Sequence, residues 1–514
     1  MGLTGHATPD ATAAHAARHR PALEPAAFAP LGATGLVVSR LGFGGYRVDD
    51  ATTEHAAALG RALDGGVNLI DTSTNYTDGG SERLIGRVLA ERARRGRLAR
   101  EALVVVSKVG YVQGANLALA REREAAGRPF PEMVRYAEGI WHCIHPDFLA
   151  DQLPRSLGRL GLATLDVCLL HNPEYFLSDA AHRAGPRRTP LAAVREEFDR
   201  RLVAAFRFLE GQVAAGTLRW YGVSSNTVAA APDDPEATSL PRMLAAAREA
   251  GGEGHHFGVL QLPLNLVESA GVLEPACEPP ETVLECAARA GIGVLVNRPL
   301  NAIVGRSMLR LADVPAEDGG GDPGPALARL AELEAEYRER IAGDIRVSAG
   351  STPPEAFFRW AEQLGELVGR VHSLTHWEQI EGQVAGLVAR VGRALDGGLT
   401  GAVGERWQAW RPRYLEALGR TLAAFRGRAA EGSRSAARRV AAAVDPRLPD
   451  ERRGESLSRK ALWVLASTPG VSTVLVGMRR ERYVDDALGV LRWPPLAEVR
   501  PVYEAMRAFS PPAS

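Results

Sequence analysis

Eight short apolar runs, separated by stretches with helical periodicity, constrain the fold of this chain more than any other feature. Continuous apolar runs are typical of strands that are buried on both faces, and helices between them predict a parallel sheet that is covered by helices. Eight such units predict an α/β fold, the closed (β/α)8 TIM barrel. The runs occupy residues 40–46, 67–71, 103–108, 165–171, 219–225, 257–262, 292–297 and 472–477.

An open, doubly wound sheet is the structural alternative to the barrel. Such sheets bind dinucleotides at a glycine-rich turn that follows the first strand and opens a helix. No fingerprint of this kind follows the first apolar run in the sequence. The pattern therefore favours the barrel.

The spacing of the units predicts two insertions, over 109–145 and over 301–455. A structureless loop as long as the second is implausible in a compact protein, and the segment has helical patterns of its own. We predict a barrel over 31–300 that is completed by 456–514, with 301–455 as a helical lid after the seventh strand. A helical interaction module that never touches substrate is the alternative. Residues 1–30 are predicted to be a disordered tail.

Charge and cysteine usage narrow the function. The chain has 61 basic and 61 acidic residues, so electrostatics give no case for nucleic acid or an anionic membrane as a partner. No apolar run approaches the ~18 residues of a membrane span. The four cysteines form no CxxC pair, which is typical of a reducing compartment. We expect a cytoplasmic protein that acts on a small molecule without a metal, with a protein partner possible only through the helical insertion.

Lysine is almost absent from this chain. Only Lys108 and Lys460 occur among the 61 basic residues. A lysine at an interior position therefore calls for a chemical reason, because lysine can shift its pKa when it is buried and arginine cannot. Lys460 lies in a helical pattern and is expected to be solvated, whereas Lys108 ends the third apolar run.

Polar side chains stand where three adjacent predicted strands end. The second run ends at Asp71, with Tyr76 five residues later, the third ends at Lys108, and the fourth ends at His171. Barrel enzymes place catalytic groups at the carboxyl ends of strands, so these four side chains can converge. We interpret them as a catalytic group.

The four residue types suit the reduction of a carbonyl. An ammonium near a phenol is expected to lower its pKa from the usual value near ~10. Asp71 would hold Lys108 charged and in place. Tyr76 would then donate a proton to the carbonyl oxygen as a hydride reaches the carbon, and His171 would orient the same carbonyl.

Seven sequence motifs follow one another at the predicted strands: "GVNLIDTSTNYTDGGSERLIGRVL", "VVVSKVG", "LATLDVCLLHNP", "RWYGVSSN", "VLQLPLN", "NRPL" and "STVLVGMRRERYVDDAL". In these motifs the chain resembles the aldo-keto reductases, over about 32–111, 146–300 and 456–492. The resemblance implies an NAD(P)H-dependent oxidoreductase barrel that reduces aldehydes or ketones, or runs the reverse reaction. It also implies that Asp71, Tyr76, Lys108 and His171 form the catalytic tetrad.

The same resemblance implies a set of cofactor contacts. Two positions depart from the family pattern: Asn297 stands where an aromatic residue often stacks on the nicotinamide, and Ala487 replaces an asparagine near the adenine. Arginines after the eighth strand can fork onto a 2′-phosphate, which favours NADPH, with NADH as the alternative. The implied contacts are Ser224, Ser225, Asn226 and Gln261 at the carboxamide, Asn297 beside the ring, Leu300 at the pyrophosphate, and Gly477, Arg479 and Arg482 after strand eight.

Two other functions fit parts of the sequence. A cofactor-binding regulatory module on the same fold, with little turnover, would use the helical insertion as its partner surface. A metal-dependent hydrolase or isomerase barrel would need ligands at the strand ends, and none is evident. His142, Cys143 and His145 lie close together, but their spacing suits zinc poorly, and a packed aromatic patch at the substrate mouth is the favoured interpretation.

Overall fold

The computed structural model describes residues 2–183, 190–277, 279–305, 307–314, 321–348, 350, 352–507 and 509. The strands are β1 (Phe28–Pro30), β2 (Val37–Ser39), β3 (Leu41–Gly44), β4 (Leu69–Asp71), β5 (Val104–Val109), β6 (Tyr111–Val112), β7 (Val134–Ala137), β8 (Ile140–His142), β9 (Leu165–His171), β10 (Leu218–Ser224), β11 (Phe257–Pro263), β12 (Gly293–Asn297), β13 (Asn301–Val304), β14 (Ser307–Arg310) and β15 (Thr473–Val476).

The helices lie between and after these strands. They are α1 (Pro9–His19), α2 (Thr53–Asp64), α3 (Gly80–Arg94), α4 (Gly114–Ala125), α5 (Pro146–Leu160), α6 (Tyr175–His182), α7 (Leu191–Ala214), α8 (Leu240–Gly251), α9 (Ala270–Leu273), α10 (Val283–Arg289), α11 (Gly324–Arg340), α12 (Trp360–Gly365), α13 (Leu374–Gly398), α14 (Gly401–Val444), α15 (Leu457–Ser467), α16 (Glu481–Val490) and α17 (Arg500–Arg507).

The chain divides into two compact units, Met1–Leu300 with Arg447–Ala508, and Asn301–Pro446 with Phe509–Ser514. The first unit contains a closed barrel in the order β10-β11-β12-β15-β3-β4-β5-β9. Neighbouring barrel strands are parallel throughout. Each predicted apolar run overlaps one barrel strand, so the predicted (β/α)8 barrel, with a helical insertion between its seventh strand and α15, is confirmed.

Alternate residues of the strands fill the inside of the barrel. Leu69, Val104 and Val106 point into one cluster with residues of the strands opposite, because every second residue of a strand faces the same side. The hairpin of β1 and β2 adds Leu31 and Val38 to this cluster. The strand registers then bring the carboxyl ends of the strands to one edge.

The amino-terminal segment is ordered, so the predicted disordered tail over 1–30 is wrong. Thr8 caps α1 with its side chain, and Pro9 occupies the first turn, where its missing N–H costs nothing. The Ala7 N–H donates to the buried Asp166 Oδ1 (2.6 Å). Asp166 Oδ2 accepts from the Val105 N–H and from Arg100, both at 2.8 Å. One barrel carboxylate therefore ties the segment to β5.

The insertion after β5 forms a small sheet of its own. Strands β6, β8 and β7 pair antiparallel in that order, and α4 connects β6 to β7. The sheet directly follows the end of β5, where Lys108 lies. It therefore stands at the carboxyl edge of the barrel.

The second unit has its own aromatic core. Tyr337, Phe358 and Trp410 pack with ring centroids 4.8–5.1 Å apart. The buried Glu334 accepts the Trp360 N–H at the start of α12 (2.8 Å). Among the described residues, no helix combines the length and the apolar character that crossing a membrane requires.

The prediction of a solvated Lys460 is wrong. Lys460 is only 3% exposed, because α15 is covered on nearly all sides. Lys460 follows two other polar residues, Ser458 and Arg459, at the start of α15, and this polar run hides its burial. Lys108 is fully buried, as its position in the third apolar run suggests.

We predict that Asp166→Ala lowers the free energy of unfolding of the barrel by about 3 kcal/mol, because it leaves the buried Arg100 guanidinium and two backbone N–H groups without their acceptor. Urea unfolding followed by circular dichroism measures the change. Asp64→Ala, which removes an exposed partner of Arg92, is the control and should change stability by less than about 1 kcal/mol. Equal effects of the two variants would contradict the account of the amino-terminal segment.

Candidate active site

Lys108 is the centre of a buried polar group at the carboxyl edge of the barrel. Its Nζ lies 2.7 Å from Asp71 Oδ2, 2.8 Å from the Thr72 carbonyl oxygen and 3.1 Å from the Tyr76 hydroxyl. Asp71 ends β4 and Lys108 lies in the neighbouring β5, so the strand register sets their separation. Three of the four predicted catalytic residues are thus in direct contact.

The contacts of Lys108 define the hydrogen-bond role of Tyr76. An ammonium has three N–H donors, and Lys108 Nζ has three oxygen acceptors within hydrogen-bond distance. If each donor serves one acceptor, the Tyr76 oxygen accepts from Lys108 and its own O–H remains free to donate elsewhere. This arrangement suits a proton donor.

Burial dominates the pKa values of this group. Desolvation raises the pKa of Asp71 and lowers that of Lys108, while their direct contact opposes both shifts. Desolvation also raises the pKa of Tyr76 well above its usual value, and the Asp71 charge adds to this. The net shift of the Tyr76 pKa is therefore upward, opposite to the expected direction, and Tyr76 is a neutral phenol.

His171 ends β9 beside the same tyrosine. Its ring centroid lies 5.8 Å from that of Tyr76, in an edge-to-face arrangement. Its Nδ1 is hydrogen-bonded to Ser73 Oγ (3.0 Å), so its Nε2 is the ring nitrogen left for a substrate. Burial, followed by the charge of Lys108, holds the pKa of His171 well below its usual value. A neutral imidazole and a neutral phenol therefore stand side by side.

The turn after Tyr76 has an unusual backbone. Thr77, Asp78 and Gly79 have φ values of 48°, 54° and 78°. Only glycine adopts this left-handed region without steric cost, so the first two residues are strained. The Thr77 hydroxyl donates to the Val48 carbonyl (2.7 Å), and Asp78 Oδ1 accepts the Ala115 N–H (3.0 Å). These contacts hold the turn that places Tyr76.

Polar side chains from the next strands extend the group. Gln261 Nε2 donates to Asp71 Oδ1 (2.8 Å), and Gln261 Oε1 accepts from Ser224 Oγ (3.2 Å) and from Asn297 Nδ2 (3.4 Å). These three residues lie at the carboxyl ends of β10, β11 and β12. The structure thus joins two of the predicted carboxamide residues, Ser224 and Gln261, to the Lys108 group, together with Asn297, which was predicted beside the ring.

The polar atoms of this extension suit a primary amide such as nicotinamide. Asn297 Oδ1 is buried and has no hydrogen-bond partner among the described residues. A buried acceptor without a donor is costly, and an amide N–H would satisfy it. The residues present therefore fit the carboxamide of a nicotinamide cofactor.

Ser225 and Asn226 differ in their surroundings. Ser225 is buried and its Oγ lies 2.7 Å from Thr238 Oγ1, so it is already engaged. Asn226 is exposed, and its backbone N–H donates to Glu174 Oε1 (2.7 Å). Burial raises the pKa of Glu174 to about 7. Sequence reasoning missed Glu174, whose only signal is its place three residues after His171.

The remaining predicted cofactor residues follow the ends of β12 and β15. Leu300 is half-buried just after β12. Gly477 is exposed directly after β15, and Arg479 is half-buried two residues later. Arg482 is exposed and its guanidinium lies 5.0 Å from the ring centre of Tyr483. Gly477, Arg479 and Arg482 follow β15, which pairs with β12, the strand that ends at Asn297.

The three residues of the disfavoured metal site, His142, Cys143 and His145, each make another contact. His142 Nε2 is hydrogen-bonded to the His171 carbonyl oxygen (2.7 Å), and Cys143 Sγ donates to the Pro131 carbonyl oxygen (3.4 Å). The His145 side chain caps the start of α5. Within the described ranges, no three or more His, Cys, Asp or Glu side chains are grouped as metal ligands.

Comparison with known proteins supports a family assignment. A model of the Aldo/keto reductase family matches residues 40–235. NADH-specific methylglyoxal reductase of Escherichia coli (strain K12) is 27% identical over 150 residues, which are 28% of this chain and 40% of that protein. D-threo-aldose 1-dehydrogenase of Pseudomonas sp is 27% identical over 210 residues, 39% of this chain and 53% of that protein. The chain thus spans about half or less of these relatives.

Solved structures similar to this chain include two that cover most of it. The holo form of aldo-keto reductase AKR11C1 from Bacillus halodurans has 15% identity and a TM-score of 0.43, over 93% of this chain and 95% of that one. Glycerol dehydrogenase AKR11B4 from Gluconobacter oxydans has 16% identity and a TM-score of 0.45, over 95% and 99%. Its motifs, its closed barrel and the family model that matches residues 40–235 support the assignment of this chain to the aldo-keto reductase family.

Proposed function

We propose that this protein is an NAD(P)H-dependent oxidoreductase that reduces an aldehyde or ketone to an alcohol, or runs the reverse reaction, with Tyr76 as the general acid. The observation that carries the proposal is the hydrogen-bonding of Lys108, whose three donors have acceptors in Asp71, Thr72 and Tyr76. This leaves the Tyr76 O–H available to a substrate, and the ring of His171, whose Nδ1 is bonded to Ser73, lies 5.8 Å from the Tyr76 ring between centroids.

The chain's own residues perform the proton chemistry. His171 and Tyr76 can both hydrogen-bond a carbonyl oxygen, which fixes its orientation and polarises it. As negative charge develops on that oxygen, Tyr76 donates its proton. The phenolate that remains lies 3.1 Å from the Lys108 ammonium, which stabilises it. The high pKa of Tyr76 keeps the proton in place until the carbonyl oxygen becomes basic.

Other residues would hold the cofactor. When bound, a nicotinamide cofactor supplies the hydride. Ser224, Gln261 and Asn297 would hold its carboxamide, supported by the hydrogen bonds that join them. The backbone at Leu300 would approach the pyrophosphate.

The residues after β15 bear on the choice between NADPH and NADH. Gly477, Arg479 and Arg482 would face the adenosine end, and the guanidiniums favour a 2′-phosphate. One relative is named as NADH-specific, so both cofactors belong in the tests.

The relatives' names suggest the first substrates to test. One is named for methylglyoxal and another for D-threo-aldoses. We propose small oxygenated carbonyls and sugars of this kind as the first panel.

We predict that Tyr76→Phe lowers kcat for methylglyoxal or another turned-over carbonyl by at least about 100-fold, because it removes the proton donor while it keeps the aromatic ring. The dissociation constant for the cofactor should stay within about twofold. Steady-state oxidation of NADPH and NADH, and quenching of intrinsic fluorescence, give the two quantities. Tyr503→Phe, at a buried tyrosine that bonds Thr468, is the control and should retain activity. Full activity of Tyr76→Phe would refute its role as the acid.

We predict that Glu174→Gln flattens the pH dependence of stability. The folded protein keeps a proton on Glu174 up to a pKa of about 7, whereas the unfolded chain releases it near 4.5. The folded state therefore binds more protons in this window, and the free energy of unfolding falls as pH rises, by up to about 3 kcal/mol. Melting temperatures of both proteins between pH 4.5 and 8 test this. If the melting temperatures of the wild type and Glu174→Gln changed with pH in the same way, the prediction would be contradicted.

A further inference from the structure

The sheet inserted after β5 contacts the backbone of His171. His142, on β8, donates from Nε2 to the His171 carbonyl oxygen at 2.7 Å. A carbonyl can only accept, so Nε2 carries the proton. His142 is 2% exposed, and burial lowers its pKa to about 4, so the ring is neutral at working pH. Its ring also stacks on Tyr175 with centroids 5.5 Å apart, which fixes its plane.

A second side chain of the same sheet holds the next residue. Asn172 has φ of 54°, a left-handed conformation that is uncommon outside glycine. Its Nδ2 donates to the Tyr111 hydroxyl (2.9 Å), and its backbone N–H donates to the Ser224 carbonyl (2.7 Å). A strained residue of this kind persists only where its surroundings fix it.

The two residues that contact the His171–Asn172 segment lie at paired positions of the inserted sheet. Tyr111 and His142 are opposite each other in the β6–β8 register. Gly110 allows this approach, because a Cβ there would lie 2.5 Å from the His171 oxygen and 2.7 Å from His142 Nε2. The Tyr111 ring also meets the His171 ring edge-on, with centroids 4.6 Å apart.

We propose that His142 and Tyr111 are positioning residues that hold the His171–Asn172 turn, so that the inserted sheet orients the imidazole that hydrogen-bonds the substrate carbonyl. The proposal rests on the proposed function, since it assigns these residues to that same site. Neither residue touches the reacting atoms in this account. His142 acts through the His171 backbone, and Tyr111 acts through the Asn172 side chain and the His171 ring.

The test compares His142→Ala with His142→Gln, whose amide can keep the N–H donor. His142→Ala should lower kcat about tenfold, while KM and the cofactor dissociation constant stay within about twofold. His142→Gln should recover most of kcat. In a His171→Ala background, His142→Ala should cause no further loss. Three results would each overturn the proposal. They are an unchanged kcat in His142→Ala, no recovery of kcat in His142→Gln, and the same fold loss of kcat from His142→Ala with and without His171.

A spectroscopic measurement separates this proposal from the proposed function. In protein labelled with ¹⁵N-histidine, the His171 ring signals should shift in His142→Ala and return in His142→Gln. If wild-type protein turns over no carbonyl but this shift occurs, the proposed function fails and the contact to His171 stands. Unchanged His171 signals would refute the positioning role at any activity.

Should His142→Ala fail to fold, Tyr111→Phe provides the second variant. It keeps the ring and removes the hydroxyl that Asn172 bonds. A severalfold lower kcat with an unchanged cofactor dissociation constant is expected. Wild-type kcat in Tyr111→Phe would count against the proposal.

Discussion

The buried contact between Lys108 and Asp71 is the interaction on which the rest of the site depends. Burying two charges costs several kcal/mol for each ion, and the pair is retained only where other hydrogen bonds complete it. Here the Thr72 carbonyl, the Tyr76 hydroxyl and the Gln261 amide complete it. Through Lys108, the Asp71 carboxylate thus connects Tyr76, the proposed proton donor, to the predicted amide-binding residues.

The barrel brings these groups together without special local structure. Adjacent parallel strands end at one edge, so Asp71, Lys108 and His171, on β4, β5 and β9, meet there. The finer geometry comes from irregular segments, namely the strained turn at 77–79 and the inserted sheet that contacts the His171 backbone. The regular fold thus sets which side chains meet, and the loops set how they are oriented.

The sequence predicted the barrel, the three strand-end residues Asp71, Lys108 and His171, and Tyr76 just beyond β4, because the strands follow from local periodicity. It could not predict contacts between distant segments, such as the hydrogen bond of Ala7 to Asp166, 159 residues away, which orders the amino terminus. It also gave the wrong direction for the pKa of Tyr76, because burial is a property of the folded surroundings. The roles of Glu174 and His142 were missed for the same reason: each contacts backbone from another strand end.

The central claim is that this barrel edge binds a nicotinamide cofactor beside a neutral tyrosine that donates a proton. Titration of the full chain with NADPH and, separately, with NADH, followed by quenching of intrinsic fluorescence, tests it without knowledge of the substrate. We predict saturable micromolar binding, tighter for NADPH because of the arginines after β15. Tighter binding of NADH would keep the site and discard the 2′-phosphate contact. Binding of neither cofactor would contradict the account.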